Sequence, residues 1–145
     1  MDDLAFLLEE GRYKRFRERL KSFIESSMSY YDFGPEPERV YKAFLLGMLA
    51  IAVNGYVVES EKESGLGRLD LVIYPKEKRY GKYAVIFEVK RADKEEKLEE
   101  LAKAALDQIR DRRYYKKMEK LEYGVIGFGI AFSLKKVEIE VGELR

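Results

Sequence analysis

The sequence contains no cysteine and no histidine. Zinc and copper sites depend on thiolate and imidazole ligands, so sites of those kinds are excluded. Ser-His-Asp and Cys-His catalysis are excluded for the same reason. A catalytic metal ion would therefore be held by oxygen atoms, which favours magnesium or manganese. A general base would have to be Asp, Glu, Lys, Tyr or an activated water.

Strong charge of one sign and long apolar runs are also missing. The net charge is +1, so binding to nucleic acid would have to come from local basic patches. Val40–Val53 is very apolar, but it is shorter than the roughly 20 residues that a membrane span needs, and Lys42 interrupts it. The first ten residues carry four acids and no basic segment, which predicts no signal peptide. We expect a cytoplasmic protein with no membrane partner.

The composition is that of one folded domain. The 145 residues are 46% hydrophobic and 38% charged, and no internal repeat is visible. Apolar spacing predicts the element order α-α-β-β-β-α-β-β. The predicted helices cover residues 3–28 (with a break near Gly11), 37–54 and 93–117, and the predicted strands cover 56–62, 68–74, 83–90, 123–132 and 137–141.

The most informative feature is Asp70 followed by Glu88-Val89-Lys90, because charged residues are depleted in strands. Side chains two apart in a strand share a side, so Glu88 and Lys90 face together. Pairing of the two strands could set Asp70 beside Glu88. A divalent ion would relieve the repulsion between the carboxylates, with the Val89 carbonyl as a further candidate ligand. Lys90 could then orient a metal-bound water towards a phosphodiester.

A simpler interpretation stays open on these residues alone. Asp70, Glu88 and Lys90 could form a surface ion-pair cluster at strand ends, in which Lys90 only neutralises Glu88. Short D…ExK patterns arise readily in a chain this rich in Asp, Glu and Lys.

Other polar residues have two interpretations each. Glu38 is either a site acid or a carboxylate that complements a helix dipole. Gln108 is either a site residue or an ordinary residue at the edge of a buried stripe. The basic and aromatic residues 110–117 either contact a phosphate backbone or form a solvated helix end. The candidate phosphate contacts are Arg68, Arg112, Arg113 and Lys116.

Three segments in this order resemble the PD-(D/E)XK nuclease superfamily: Gly67-Arg68-Leu69-Asp70, Ile86-Phe87-Glu88-Val89-Lys90 and Gln108-Ile109. The resemblance covers roughly residues 30–140, and Leu69 stands where the signature has proline, which many members lack. The similarity is greatest to the branch found at the C-terminus of AAA-ATPase-like prokaryotic proteins. The residues that carry this similarity are Glu63 to Asp70, Ala105 to Ile109, Tyr114, Gly129 to Phe132 and Lys135.

The resemblance implies a restriction-endonuclease-like α/β core, with a central mixed sheet of about five strands flanked by helices. It implies an N-terminal helical extension over residues 1–30 and a nuclease-like domain over 31–145, either excised from a longer protein or standing alone. It also implies hydrolysis of nucleic acid with Mg²⁺ or Mn²⁺ as the cofactor, and DNA is the preferred candidate substrate. The implied protein partner is an ATPase or a second copy of the chain in a homodimer. The implied metal ligands are Asp70 and Glu88, the catalytic lysine is Lys90, and Glu38 and Gln108 are further site residues.

Two non-catalytic functions remain as alternatives. The fold could serve as a regulatory module that binds nucleic acid or protein, partnered with an ATPase, which the near-neutral net charge favours. It could also be a self-associating structural domain whose basic 12–21 helix face is solvated.

Overall fold

A computed structural model describes residues 13–31, 55–63, 68–92, 97–133 and 136–144. The predicted helix over 37–54, the turn at 64–67 and residues 3–12 lie outside these ranges. No helix in the described ranges is long and apolar enough to cross a membrane. The described helices are α1 (Tyr13–Tyr31), α2 (Leu98–Gln108) and α3 (Arg113–Lys120), and the strands are β1 (Tyr56–Glu63), β2 (Arg68–Pro75), β3 (Tyr83–Arg91), β4 (Gly124–Phe132) and β5 (Val137–Leu144).

The five strands form one mixed sheet in the order β1-β2-β3-β4-β5. Neighbouring strands are antiparallel except β3 and β4, which are parallel. A parallel pair needs a long crossover connection, and α2 and α3 lie within that connection. The sheet and its flanking helices confirm the expected restriction-endonuclease-like α/β fold.

One side of the sheet, here called the α1 face, is covered by apolar residues of α1. Phe16 and Leu20 belong to one buried cluster with alternate residues of β2, β3, β4 and β5. Phe128 lies at the centre: its ring stacks on Phe87 with centroids 5.0 Å apart and meets Phe16 edge-on at 5.5 Å. Arg17 adds a hydrogen bond from Nε to the Ile139 carbonyl. α1 is therefore part of the core through Phe16 and Leu20.

The opposite side, here called the site face, is covered by α2 and α3. Its apolar centre contains Val72, Ile86 and Ile109 together with Tyr115 and Met118. Asp70 of β2 and Glu88 and Lys90 of β3 lie on this same side, because strand residues alternate between faces.

The prediction of one continuous helix over 93–117 is wrong. A 3₁₀ turn, Ile109–Asp111, follows α2, and Arg112 is extended with φ −87° and ψ 155° before α3 begins. Continued helical spacing after Ile109 would turn Arg112, Arg113 and Lys116 towards the sheet. The break changes the phase of the helix, so that Tyr114, Tyr115 and Met118 are buried instead.

Candidate active site

Two carboxylates lie side by side on the site face. Asp70 and Glu88 are directly opposed in the antiparallel pair of β2 and β3. Opposed residues share a face, and their Cβ atoms are typically about 5 Å apart. Both residues are buried, with 4% of Asp70 and 0% of Glu88 exposed. The strand pattern predicts that the two carboxylates are neighbours, but it does not predict that they are buried. Because they are buried, the interpretation as a surface ion-pair cluster is wrong.

Lys90 lies one step further along the same side of β3. Its ammonium nitrogen is 3.7 Å from Glu88 Oε2 and donates a hydrogen bond to Gln108 Oε1. The lysine side chain is 19% exposed, so its charge lies between the buried carboxylates and solvent. Glu88, Lys90 and Gln108 are therefore in one cluster, although Gln108 comes from a different element.

Gln108 reaches the cluster because α2 lies unusually close to β4. Gly129 is opposite Glu88 on β4. A Cβ at Gly129 would lie 2.2 Å from the Ala102 carbonyl oxygen and 2.5 Å from the Leu106 nitrogen, both in α2. Only glycine permits this approach without displacement of the helix.

Arg112 makes the strongest contact in the cluster. Its Nε donates to Glu88 Oε1 at 2.8 Å and its Nη2 donates to Glu88 Oε2 at 2.7 Å. Nη2 also lies 3.2 Å from Gln108 Oε1. Parallel hydrogen bonds of this kind are the preferred geometry between arginine and a carboxylate. The sequence predicts Arg112 only as a contact for phosphate. The one signal for its contact with Glu88 is its position four residues after Gln108.

The other candidate phosphate contacts are not gathered at the carboxylates. Arg113 is exposed and donates to Glu61 Oε2 at 3.0 Å. Lys116 is exposed on α3. The side chain of Arg68 and all of Glu38 lie outside the part of the chain that the structure describes.

Glu61 extends the row of carboxylates to the edge strand, and sequence reasoning missed it. It is opposed to Asp70 in the pair of β1 and β2, so Glu61, Asp70 and Glu88 follow one another across three strands. No sequence pattern indicates that a glutamate of β1 lies beside Asp70, because this pairing is known only from the register of the two strands.

A second ion-pair cluster lies nearer solvent on the same face. Lys117 Nζ donates to Glu59 Oε1 at 2.7 Å, and the Tyr74 hydroxyl donates to the same oxygen at 3.0 Å. The hydrogen bond from Lys117 is the main cause that lowers the pKa of Glu59 from its ordinary value of 4.5. The same bond raises the pKa of Lys117 from 10.5.

The buried carboxylates fit a hard divalent cation. Magnesium is commonly held by one or two carboxylates and several waters. Asp70 and Glu88 supply two such ligands, and Glu88 already binds a cation, the guanidinium of Arg112. No group of three or more acidic, histidine or cysteine residues that could hold a metal occurs in the described ranges. Within the described part of the chain, further ligands would be backbone oxygens, and waters or substrate could complete the coordination.

Comparison with known proteins gives one positive result. A search among curated proteins found no match. The family model of the PD-(D/E)XK nuclease superfamily matches residues 36–141, which is most of the chain and includes Asp70, Glu88, Lys90 and Gln108. The chain therefore belongs to the PD-(D/E)XK nuclease superfamily.

Proposed function

We propose that this chain is a divalent-metal-dependent nuclease domain that hydrolyses phosphodiester bonds. The observation that carries the proposal is the buried opposition of Asp70 and Glu88, with Lys90 beside them. Membership of the superfamily supports a nuclease domain, nucleic acid as its substrate and a divalent metal as its cofactor.

Asp70 and Glu88 would hold the ion, which we propose is Mg²⁺ or Mn²⁺, with the Val89 carbonyl as a third candidate ligand. Both carboxylates are on strands in the middle of the sheet, so their positions are fixed before any ligand binds. When bound, the ion would lower the pKa of a coordinated water and neutralise charge on the phosphate.

Lys90 would orient the attacking water and stabilise negative charge on the phosphate. Gln108 acts on Lys90: its Oε1 accepts a hydrogen bond from the ammonium group and fixes the direction of that group. In the hydrolysis a P–O bond to water forms, the ester P–O bond breaks, and the water proton ends on the leaving oxygen. We assign Glu38 as a further acid of the site on the resemblance alone.

We propose DNA as the substrate, with phosphate contacts from Arg68, Arg113 and Lys116. Arg113 and Lys116 are exposed on α3, directly after the residue that contacts Glu88. Arg112 could offer its paired Nε and Nη2 groups to a phosphate only after it leaves Glu88. We also propose a cytoplasmic setting and an ATPase partner or a homodimer, on the resemblance alone.

Cleavage of DNA with Mg²⁺ tests the proposal. We expect Asp70→Ala and Lys90→Ala to reduce the cleavage rate by about 10²-fold or more, since they remove a metal ligand and a group that acts on the water. Lys103→Ala, which changes an exposed lysine of α2, should cleave as the wild type does. Circular dichroism would show that each variant is folded. Equal cleavage by all four proteins would contradict the proposal.

One observation favours a second candidate, a non-catalytic module that binds nucleic acid. Arg112 neutralises Glu88 without a metal, so the same cluster could serve as a structural ion pair. This function predicts no cleavage by the wild type with Mg²⁺ or Mn²⁺. It also predicts DNA binding, measured by fluorescence anisotropy, that does not change when metal is added.

A further inference from the structure

The Arg112 guanidinium is bound to Glu88, the carboxylate that we propose as a metal ligand. It uses both carboxylate oxygens, at 2.8 and 2.7 Å, and the Glu88 side chain is 1% exposed. A metal ion that approaches Glu88 from the side of Arg112 would therefore compete with the guanidinium for at least one of these oxygens. The two cations compete for one ligand.

A divalent ion would change the net charge of the cluster from zero to positive. With both carboxylates ionised, Asp70 and Glu88 carry two negative charges, which equal the two positive charges of Lys90 and Arg112. These cancel, which is the arrangement that a buried cluster needs, because an uncompensated buried charge is strongly destabilising. A divalent ion brings two more positive charges, so the cation that can move away is expected to leave.

Arg112 is the cation that can move. Arg112 is the extended residue between the 3₁₀ turn and α3, and its side chain is 25% exposed. Rotation of its side-chain torsions would carry the guanidinium outward without a change in the backbone. Lys90 is fixed differently, since it belongs to an inner strand of the sheet and its ammonium is held by Gln108.

We infer that Arg112 is an internal cation that holds Glu88 in the metal-free protein and is displaced by the divalent ion. The inference rests on the proposed function, because it requires a metal that binds Glu88. It has two consequences. Arg112 weakens the apparent affinity for the metal, and its paired Nε and Nη2 groups become available to a phosphate only after the metal has bound. Contact with the substrate is thereby coupled to loading of the site.

Binding of Mn²⁺ measured by calorimetry, without nucleic acid, tests this inference. Arg112→Gln removes the competing cation and should bind Mn²⁺ about tenfold or more tightly than the wild type, since apparent affinity falls with the fraction of chains in which the ligand is available. Arg112→Lys keeps the charge but loses the paired hydrogen bonds, so its affinity should be intermediate. Arg110→Gln removes an equal charge from an exposed nearby position and should bind as the wild type does.

Thermal unfolding of the same proteins gives an independent result. In EDTA, Arg112→Gln should unfold at a lower temperature than the wild type, because Glu88 loses its partner. In saturating Mn²⁺ that difference should shrink, since the metal replaces the lost charge. Arg110→Gln should show neither effect.

Two outcomes would overturn the inference in distinguishable ways. If Arg112→Gln binds Mn²⁺ no more tightly than the wild type and is equally destabilised with and without metal, Arg112 stays on Glu88 and only orients it. If neither the wild type nor either Arg112 variant binds Mn²⁺, the proposed metal site is wrong and the displacement of Arg112 is wrong with it.

Discussion

The two faces of the sheet are built from the same strands but are stabilised in different ways. The α1 face is apolar from β2 to β5 and is covered by Phe16 and Leu20. The site face combines a smaller apolar centre with buried charges and a helix that lies in direct backbone contact with Gly129. Apolar packing on the α1 face stabilises the sheet. The stable sheet in turn keeps Asp70 and Glu88 next to each other on the site face.

The difference shows why a buried carboxylate pair can persist in a small domain. Two carboxylates opposed in neighbouring strands destabilise the pair unless cations compensate them. Arg112 and Lys90 provide that compensation on the site face, while burial of aromatic rings on the α1 face stabilises the strands themselves. Stability and chemistry should therefore respond to different substitutions.

The largest effect is expected on the α1 face. Phe128→Ala removes a buried ring that contacts both Phe16 and Phe87, and should lower the free energy of unfolding by about 3–5 kcal/mol. Phe128→Leu keeps most of the volume and should cost less, which gives a usable protein if the alanine variant does not fold. Chemical denaturation measures both, and Mn²⁺ affinity of the folded leucine variant should be unchanged. A large change in that affinity would show that the two faces are not independent.

An intermediate effect is expected where α2 crosses β4. Gly129→Ala places a methyl group 2.2 Å from the Ala102 carbonyl oxygen, so α2 must shift. We expect a loss of about 1–3 kcal/mol in the free energy of unfolding, and also weaker catalysis because Gln108 moves with the helix. Denaturation and DNA cleavage would be measured together.

Gly142→Ala is the matched control, since its added methyl would have Leu106 Cδ2 as its nearest contact at 3.9 Å. It should leave stability and cleavage close to those of the wild type. If both glycine variants behave alike, the close approach of α2 does not position the site.

The smallest effect is expected in the exposed cluster at Glu59. Glu59→Gln should lower the free energy of unfolding near neutral pH by about 0.2–1 kcal/mol, because surface ion pairs are screened by solvent. The pKa of Glu59 is lowered from 4.5 in the folded chain, so its contribution is present above that pH and is lost as the pH falls through the folded value. The pKa of Lys117 is raised from 10.5, so its contribution is lost as the pH rises through its own folded value.

Denaturation at several pH values would measure this effect, with Glu100→Gln as an exposed control on α2. The difference between wild type and Glu59→Gln should vanish in acid and shrink in high salt. A cost well above about 1 kcal/mol would show that the Glu59 cluster does not behave as a screened surface ion pair.

Most of the sheet could be predicted from local patterns. The runs of apolar residues at Arg68–Pro75 and Tyr83–Arg91 predict β2 and β3 to within one residue at each end. Alternation along these runs also predicts that Glu88 and Lys90 share a side. The helix break at Arg112 could not be predicted in this way, because the helical propensity of residues 98–120 is continuous and the break comes from burial of Tyr114, Tyr115 and Met118 on the sheet.

The sequence by itself determined which chemistry is open to this protein. Without cysteine or histidine, a metal site must use oxygen ligands, and Asp70 and Glu88 are at strand positions that can meet. Only the tertiary structure decided which cation faces Glu88, since Arg112 reaches it from the break between the 3₁₀ turn and α3, which the continuous helical pattern does not predict. The physical reason is that strand alternation is a local property, whereas contact between a helix connection and a strand depends on the packing of α2 against Gly129.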